Sequence, residues 1–131
     1  MVSIFLAVLL SSVTSDQSLQ QNYADAYQQS VDEEKPLMVV VSAPWCPACN
    51  VLKESTIQPM ANSGELDNFS VTVINQDDDP ELAKELTEGE KMLPQIIVYT
   101  KDKGRWKRRK LTGYQPKQPV RSLLRRALRR G

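Results

Sequence analysis

The stretch that decides the fold is residues 39–49, which read VVVSAPWCPAC. The apolar, β-branched run from Leu37 to Val41 predicts a buried strand. A short turn follows the strand, and Pro47 then suits the first position of a helix. The sequence therefore predicts a strand, a turn and a helix in direct succession. The only two cysteines of the chain, Cys46 and Cys49, stand where this helix begins.

The remaining predicted elements alternate between helices and strands. Apolar spacing predicts helices over residues 17–34, 47–61, 80–88 and 117–130, and strands over residues 37–41, 69–74, 95–100 and 105–111. Asp79 is a good helix N-cap, and Pro80 suits the first helical position. The early β-α-β unit implies a parallel pair of strands, and the closing hairpin implies an antiparallel pair. The predicted fold class is therefore α/β, a mixed central sheet of about four strands with helices on both faces.

Helical spacing also predicts which side chains face the core. The predicted inward positions are Leu19, Tyr23, Ala26, Tyr27, Ser30 and Val31 in the first helix, Val51, Leu52, Ser55 and Ile57 in the second, and Val120, Leu123, Leu124, Ala127 and Leu128 in the last. The opposite face of the last helix carries five arginines.

The composition allows one domain and excludes several classes of function. The chain has 131 residues and a mass of 14.8 kDa, which suits one domain with its own core. It contains no histidine, which excludes Ser-His-Asp and Cys-His catalysis and histidine-ligated metals. Residues 1–100 carry 15 acidic and 4 basic residues (net −11), and residues 101–131 carry 13 basic and 1 acidic (net +12). This division raises nucleic acid or an anionic membrane as partners.

The first residues of the chain resemble a secretory signal. Residues 2–10 are almost entirely apolar, no charged side chain precedes Asp16, and small residues lead to a cleavage site after Ser15. The apolar run is too short to span a membrane comfortably. The alternative is an N-terminal strand buried in the core. We predict a signal peptide over residues 1–15, a domain over residues 16–131, and export to the periplasm or the extracellular space.

Three interpretations of the cysteine pair compete. A structural zinc site normally takes four ligands, and this chain offers two cysteines and no histidine. Inert buried thiols are common, but the C-x-x-C spacing beside Trp45 and Pro47 at a helix start favours a functional pair. The sequence therefore predicts a redox dithiol and no metal site.

The start of a helix is a suitable place for such a dithiol. Free backbone N–H groups in the first turn stabilise a thiolate at Cys46 and so lower the pKa of that thiol. The thiolate is the nucleophile in disulfide exchange. Cys49 follows about one helical turn later on the same side, where it can attack a mixed disulfide at Cys46 and release the substrate.

The sequence resembles the thioredoxin superfamily over about residues 20–130. Residues 39–49 resemble the active-site strand and loop of that superfamily. Residues 73–80 (VINQDDDP) resemble its second strand and acidic turn, and residues 92–99 (MLPQIIVY) resemble its cis-proline and third strand. Gly113 matches the glycine after its hairpin. The resemblance implies a thioredoxin fold.

The resemblance also implies the roles of the site residues. Cys46 is expected to attack and Cys49 to resolve, and their reversible disulfide takes the place of a cofactor. Pro94 is expected to be cis and to face the cysteines, while Leu93 offers its backbone to an extended substrate peptide. The residues implied in substrate binding are Trp45, Pro47, Leu93 and Pro94.

Two positions depart from the best-known members of the superfamily, which bury an aspartate beneath the cysteines and pair it with a lysine on the neighbouring strand. These positions are Val40 and Val73 in this chain. Losing both halves of a buried ion pair can be neutral, whereas losing one is costly. Because the aspartate helps to deprotonate the resolving cysteine, we expect water or a surface carboxylate such as Glu54 to serve Cys49 here.

The leading hypothesis is a monomeric thiol-disulfide oxidoreductase that exchanges disulfides with protein substrates and with an unidentified redox partner. The alternative is a non-catalytic binding module of the same fold, for a protein or for Cu(I) held by the two thiolates. A third hypothesis is nucleic acid or anionic membrane binding through residues 107–110 (KRRK) and the last helix. We favour a solvated face for the arginines of that helix, because its apolar residues suit packing on the sheet.

Overall fold

The computed structural model describes Leu19 and residues 21–129, in which five α-helices surround one four-stranded sheet. The helices are α1 (Tyr23–Asp32), α2 (Pro47–Leu52), α3 (Gln58–Asn62), α4 (Pro80–Thr87) and α5 (Lys117–Leu128), with a π-helical turn (Lys53–Ile57) between α2 and α3. The strands are β1 (Leu37–Ser42), β2 (Ser70–Asn75), β3 (Gln95–Asp102) and β4 (Arg105–Thr112). The predicted signal peptide, residues 1–15, lies outside the described residues.

The sheet is mixed, as the order of elements predicts. Its strand order is β2-β1-β3-β4. β1 pairs with β2 in parallel and with β3 in antiparallel fashion, and β3 and β4 form the closing antiparallel hairpin. Lys103 and Gly104 make the hairpin turn with φ angles of 51° and 79°, a left-handed conformation that glycine adopts without steric cost.

The two faces of the sheet carry separate cores, and β1 contributes alternate side chains to each. Met38 and Val40 face a core built with α2, α3 and α5, whereas Leu37, Val39 and Val41 face a core built with α1 and α4. All six residues of β1 are buried. Helices therefore cover both faces of the sheet, and the strand that leads to the cysteines is central.

Side-chain caps fix the starts of three helices. Asn22 begins α1 by accepting from the Asp25 N–H at 2.8 Å. Asp79 begins α4 by accepting from the Leu82 N–H at 3.1 Å, with Pro80 in the first helical position, as predicted. Cys46 occupies the same position at the start of α2.

The predicted inward face of the second helix is partly wrong. Leu52 and Ile57 are buried, but Val51 and Ser55 are exposed. Because Cys49 is turned inward, Val51 lies about 200° further round the helix and faces solvent. The next buried side chains after Leu52 are Thr56 and Ile57, the last two residues of the π-helical turn.

The first and last helices are shorter than predicted. The residues from Gln21 to Asn22 lie outside α1, and Glu34, predicted as the last helical residue, has a left-handed φ of 53°. Only Ala26 and Ser30 of α1 are buried, because the helix packs through a narrow stripe four residues apart. The predicted inward positions Tyr27, Val31 and Leu128 are instead 42%, 43% and 46% exposed.

Candidate active site

Cys46 and Cys49 form a disulfide at the junction between β1 and α2, with their Cα atoms 5.3 Å apart. That separation is within the usual range for a disulfide. Cys46 is the N-cap residue of α2, and its sulfur accepts from the Cys49 N–H at 3.2 Å. The backbone N–H of Cys46 in turn donates to the Ala43 carbonyl at 3.2 Å, which closes the turn after β1.

The two cysteines differ in their access to solvent. Cys46 keeps 7% of its surface exposed, whereas Cys49 keeps none. Both belong to a small apolar cluster with Ala43, against which Ala48 and Leu93 pack. A partner sulfur arriving from solvent can therefore reach Cys46 but not Cys49.

The loop before β3 lies against the cysteines, as the sequence motifs predict. Leu93 is half-buried beside them, and the Leu93–Pro94 peptide bond is cis. Pro94 is buried, and its carbonyl accepts from the Gly113 N–H at 2.7 Å. The end of β4 thus holds the loop in place on its far side.

Exposed apolar side chains surround the nearly buried sulfur of Cys46. Trp45 and Met92 are each 64% exposed, and Pro47 is also exposed. The Trp45 Nε1–H donates to Asp77 at 3.1 Å, which fixes the indole ring against the loop after β2. Met92 is a rim residue that the sequence did not single out, although it adjoins the predicted Leu93.

The two positions that depart from the superfamily pattern, Val40 and Val73, carry no charged side chain. Val40 and Val73 are paired in register across β1 and β2. Val40 is fully buried and Val73 packs on the same core. Val40 and Val73 are therefore neighbours on adjacent strands, as the resemblance to the superfamily implies, but both side chains are aliphatic. Glu54 lies exposed in the π-helical turn.

Gln95 is a site-supporting residue that sequence analysis missed. Its side chain is fully buried, and its Nε2 donates to the Met92 carbonyl at 3.0 Å and to the Glu90 carbonyl at 3.4 Å. These hydrogen bonds hold the loop that carries Leu93. The available signal was a polar residue at the start of an otherwise apolar strand, because a buried amide needs hydrogen-bond partners.

The groups with shifted pKa values lie away from the cysteines. Burial raises the pKa of Tyr99 above its usual value, although the nearby Arg108 opposes this, and burial likewise raises the pKa of Tyr23. Glu65 accepts a hydrogen bond from Arg121, which lowers the pKa of that carboxyl. Each of these side chains lies outside the redox turn, which we define as residues 43–49, from the end of β1 to the disulfide.

Within the described residues, ion pairs join some side chains of the basic C-terminal region (residues 101–131) to the acidic body (residues 1–100). Arg108 lies 3.6 Å from Glu88, Arg121 lies 2.5 Å from Glu65, and Lys110 contacts Glu90. α5 packs on the sheet through the predicted residues Val120, Leu123, Leu124 and Ala127.

Residues 21–129 contain neither a candidate metal cluster nor a candidate membrane-spanning helix. No group of three or more acidic or cysteine side chains in this part of the chain is arranged to hold a metal ion. None of its helices combines the length and the apolarity that crossing a membrane requires.

Comparison with known proteins agrees with this geometry. A family model described as a thioredoxin-like domain matches residues 23–128. A thioredoxin from Alicyclobacillus acidocaldarius subsp. acidocaldarius is 29% identical over 98 residues, which cover 75% of this chain and 87% of that one.

Solved structures show the same fold at low sequence identity. A thioredoxin from Thermus thermophilus superposes with a TM-score of 0.68 at 21% identity, covering 79% of this chain and 82% of that one. Chloroplastic thioredoxin z gives a TM-score of 0.66 at 20% identity, covering 82% and 91%. The resemblance noted in the sequence is confirmed: the chain belongs to the thioredoxin-like family.

Proposed function

We propose that this protein is a thiol-disulfide oxidoreductase that acts on disulfides of other proteins. The observation that carries the proposal is the Cys46–Cys49 pair, disulfide-bonded at the start of α2 with only Cys46 open to solvent. A thioredoxin-like fold with a C-x-x-C pair at disulfide distance supports thiol-disulfide exchange in general. The protein substrates and the direction of exchange belong to the proposal.

In the reduced protein, the Cys46 thiolate attacks one sulfur of a substrate disulfide. A Cys46–substrate disulfide forms, and the other substrate sulfur leaves as a thiolate that takes a proton. Cys49 then loses its proton and attacks the Cys46 sulfur, which restores the Cys46–Cys49 bond and releases the second substrate thiol. Two electrons pass from the protein to the substrate. A dithiol reductant must supply two electrons for the next cycle.

The start of α2 favours the first step. The backbone N–H of Cys49, in the first helical turn, donates to the Cys46 sulfur. Such donors stabilise the thiolate that attacks and later leaves. The cysteines themselves therefore carry the redox chemistry, and the step requires no metal or separate cofactor.

The rim around Cys46 suits an extended protein segment. Trp45, Pro47 and Met92 offer apolar surface, and Leu93 packs beside the cysteines and is followed by the buried Pro94. We propose that a substrate segment lies along Leu93 and presents its disulfide to Cys46. Function as a monomer and export from the cytoplasm are further parts of the proposal, the latter based on the sequence of residues 1–15.

Reduction of insulin by dithiothreitol, followed by turbidity, tests the proposal. The wild-type protein is expected to accelerate the reaction, and Cys46→Ser is expected to reduce the rate to that of dithiothreitol alone. Ser55→Ala is the matched control, because Ser55 is an exposed hydroxyl on the same helical stretch. A wild-type protein without activity would favour the binding module instead.

A further inference from the structure

A cavity of about 220 Å³ lies at the opposite end of the sheet from the cysteines. β1 begins at this end, whereas the redox turn follows the end at which β1 finishes. The six residues of β1 separate the two ends by about 16 Å at a usual strand rise. The cavity is therefore a separate feature from the dithiol.

The cavity exists because the strands have unequal lengths. The pairing of β1 with β3 ends at Leu37 and Tyr99, whereas β3 and β4 stay paired out to Asp102 and Arg105. The space beside this projecting hairpin is bounded by the turn at residues 34–36 and by the end of α5. The structure thus encloses a pocket beyond the first residue of β1.

Basic side chains dominate the lining of this cavity. Among the described residues that line it, the cations are Lys35, Lys101, Lys107, Arg109 and Arg129, and the carboxylates are Glu34 and Asp102. Lys107 is paired with Asp102 at 3.0 Å, and Lys35 with Glu33 at 3.4 Å. Among the described residues, Lys101, Arg109 and Arg129 form no ion pair. The cavity therefore keeps an excess of positive charge.

Trp106 forms an apolar wall of the cavity and contacts Tyr27 and Lys101. Trp106 is 40% exposed, and its ring lies 6.2 Å from that of Tyr27, with the Lys101 Nζ 5.7 Å from the ring centroid. A cation over an indole ring is held by the ring quadrupole. Lys101 is therefore positioned at the cavity. The buried Thr100 adds a hydroxyl to the lining.

We propose that this cavity binds a phosphate-bearing ligand. Its volume lies below the range of about 300–1,000 Å³ usual for drug-sized molecules, which suits one or two phosphoryl groups. Clustered lysine and arginine side chains with a hydroxyl are the groups that bind phosphate in proteins. The same chemistry would hold a soluble phosphate compound or the headgroup of an anionic lipid. The site does not depend on the redox function.

Titration with inorganic pyrophosphate tests the site. The chain has two tryptophans, so Trp45→Phe leaves Trp106 as the only fluorescent indole, and calorimetry on the wild-type protein gives the stoichiometry. We expect saturable binding of one pyrophosphate with a change in Trp106 fluorescence. Arg109→Gln and the exposed Lys101→Gln should each weaken binding by about tenfold.

Lys84→Gln is the matched control, because it removes one exposed positive charge on α4, outside the cavity. The proposal is overturned by an absence of saturable binding, or by equal weakening in Lys84→Gln and the cavity variants. Lys101 is exposed, so its variant keeps the test valid if Arg109→Gln does not fold.

Vesicles distinguish the two sources of the phosphate. Phosphatidylcholine vesicles with and without phosphatidylglycerol are sedimented with the protein. Binding to phosphatidylglycerol that pyrophosphate displaces and Lys101→Gln weakens supports a lipid headgroup. Pyrophosphate binding without sedimentation supports a soluble ligand. Sedimentation that is equal in Lys101→Gln and Lys84→Gln counts against the cavity as the lipid site.

Discussion

At the residue scale, Cys46 and Cys49 carry the same chemical group but differ in access. Cys46 is 7% exposed and caps α2, while Cys49 is fully buried behind it. The order of attack in the proposed cycle follows from this difference, because only the outer sulfur meets a large substrate. The burial of Cys49 also protects its thiol from competing reactions during the lifetime of the Cys46–substrate disulfide.

The difference in access predicts opposite behaviour of the two single-cysteine variants. Reduced Cys49→Ser should react with an aromatic disulfide reagent, release one equivalent of thiol and remain as a stable mixed disulfide at Cys46. Cys46→Ser should react much more slowly, because its remaining thiol is buried. Mass spectrometry of the adducts measures both. Equal reaction rates of the two folded variants would contradict the assigned order.

Tyr99 predicts a dependence of stability on alkaline pH. Burial raises its pKa in the folded state above the ordinary value of about 10. The unfolded chain therefore loses this proton at lower pH than the folded protein, and the free energy of unfolding falls as the pH rises above that value.

Tyr99→Phe should reduce this alkaline loss of stability. Urea unfolding of the wild type and the variant at pH 7, 9 and 10.5 measures how the free energy of unfolding of each protein changes with pH. The difference in the free energy of unfolding between the two proteins at pH 7 gives the effect of the substitution itself. If the variant loses as much stability as the wild type between pH 9 and 10.5, Tyr99 is not the group responsible.

The sequence predicted which residues lie around the Cys46–Cys49 disulfide better than it predicted which residues support them. Cys46, Trp45 and Leu93 lie in motifs that combine residue type with spacing, so they could be placed together. Gln95 could not be assigned, because its role depends on the carbonyls of a loop whose path the sequence does not specify. Val51 was placed inward wrongly, since apolar spacing alone does not show that Cys49 is the side chain of this turn that faces the core.

At the scale of elements, α5 joins the basic region to the core. Its buried side chains Val120, Leu123 and Leu124 pack on the face of the sheet that also receives α2 and α3. Arg125 and Arg126 are exposed on the other side. The strands were predicted to within about two residues, because β1, β2 and β3 are rich in apolar residues and the turn at residues 102–104 marks the start of β4, whereas the ends of α1 and α5 depended on caps and turns.

Removal of α5 should unfold the domain. Complete burial of each of the three large side chains contributes about 1.5–3 kcal/mol, against a total stability of about 5–15 kcal/mol for a typical protein. A chain ending at Pro116 is expected to lose its cooperative thermal transition in circular dichroism. Arg125→Gln/Arg126→Gln is the control and should melt close to the wild type. A cooperative transition near the wild-type temperature in the shortened chain would contradict this account.

At the scale of the whole molecule, charge is separated rather than fully cancelled. Within residues 21–129, three ion pairs join the basic C-terminal region to the acidic body, through Arg108, Lys110 and Arg121. The acidic run at residues 77–79 follows β2 at the redox end, while the cavity at the other end is basic. The sequence predicted the two charge totals, but not that the acidic run follows β2 at one end of the sheet while five basic side chains line the cavity at the other.

The central position of β1 in the sheet limits local unfolding around this strand. All six residues of this strand are buried, and it is hydrogen-bonded to β2 on one side and β3 on the other. Amide hydrogens in such a strand exchange with solvent only when the whole domain unfolds, whereas edges and turns exchange through local fluctuations. The redox turn is thus attached directly to the slowest-exchanging part of the protein, and fraying of the hairpin or of the helix ends leaves its anchor in place.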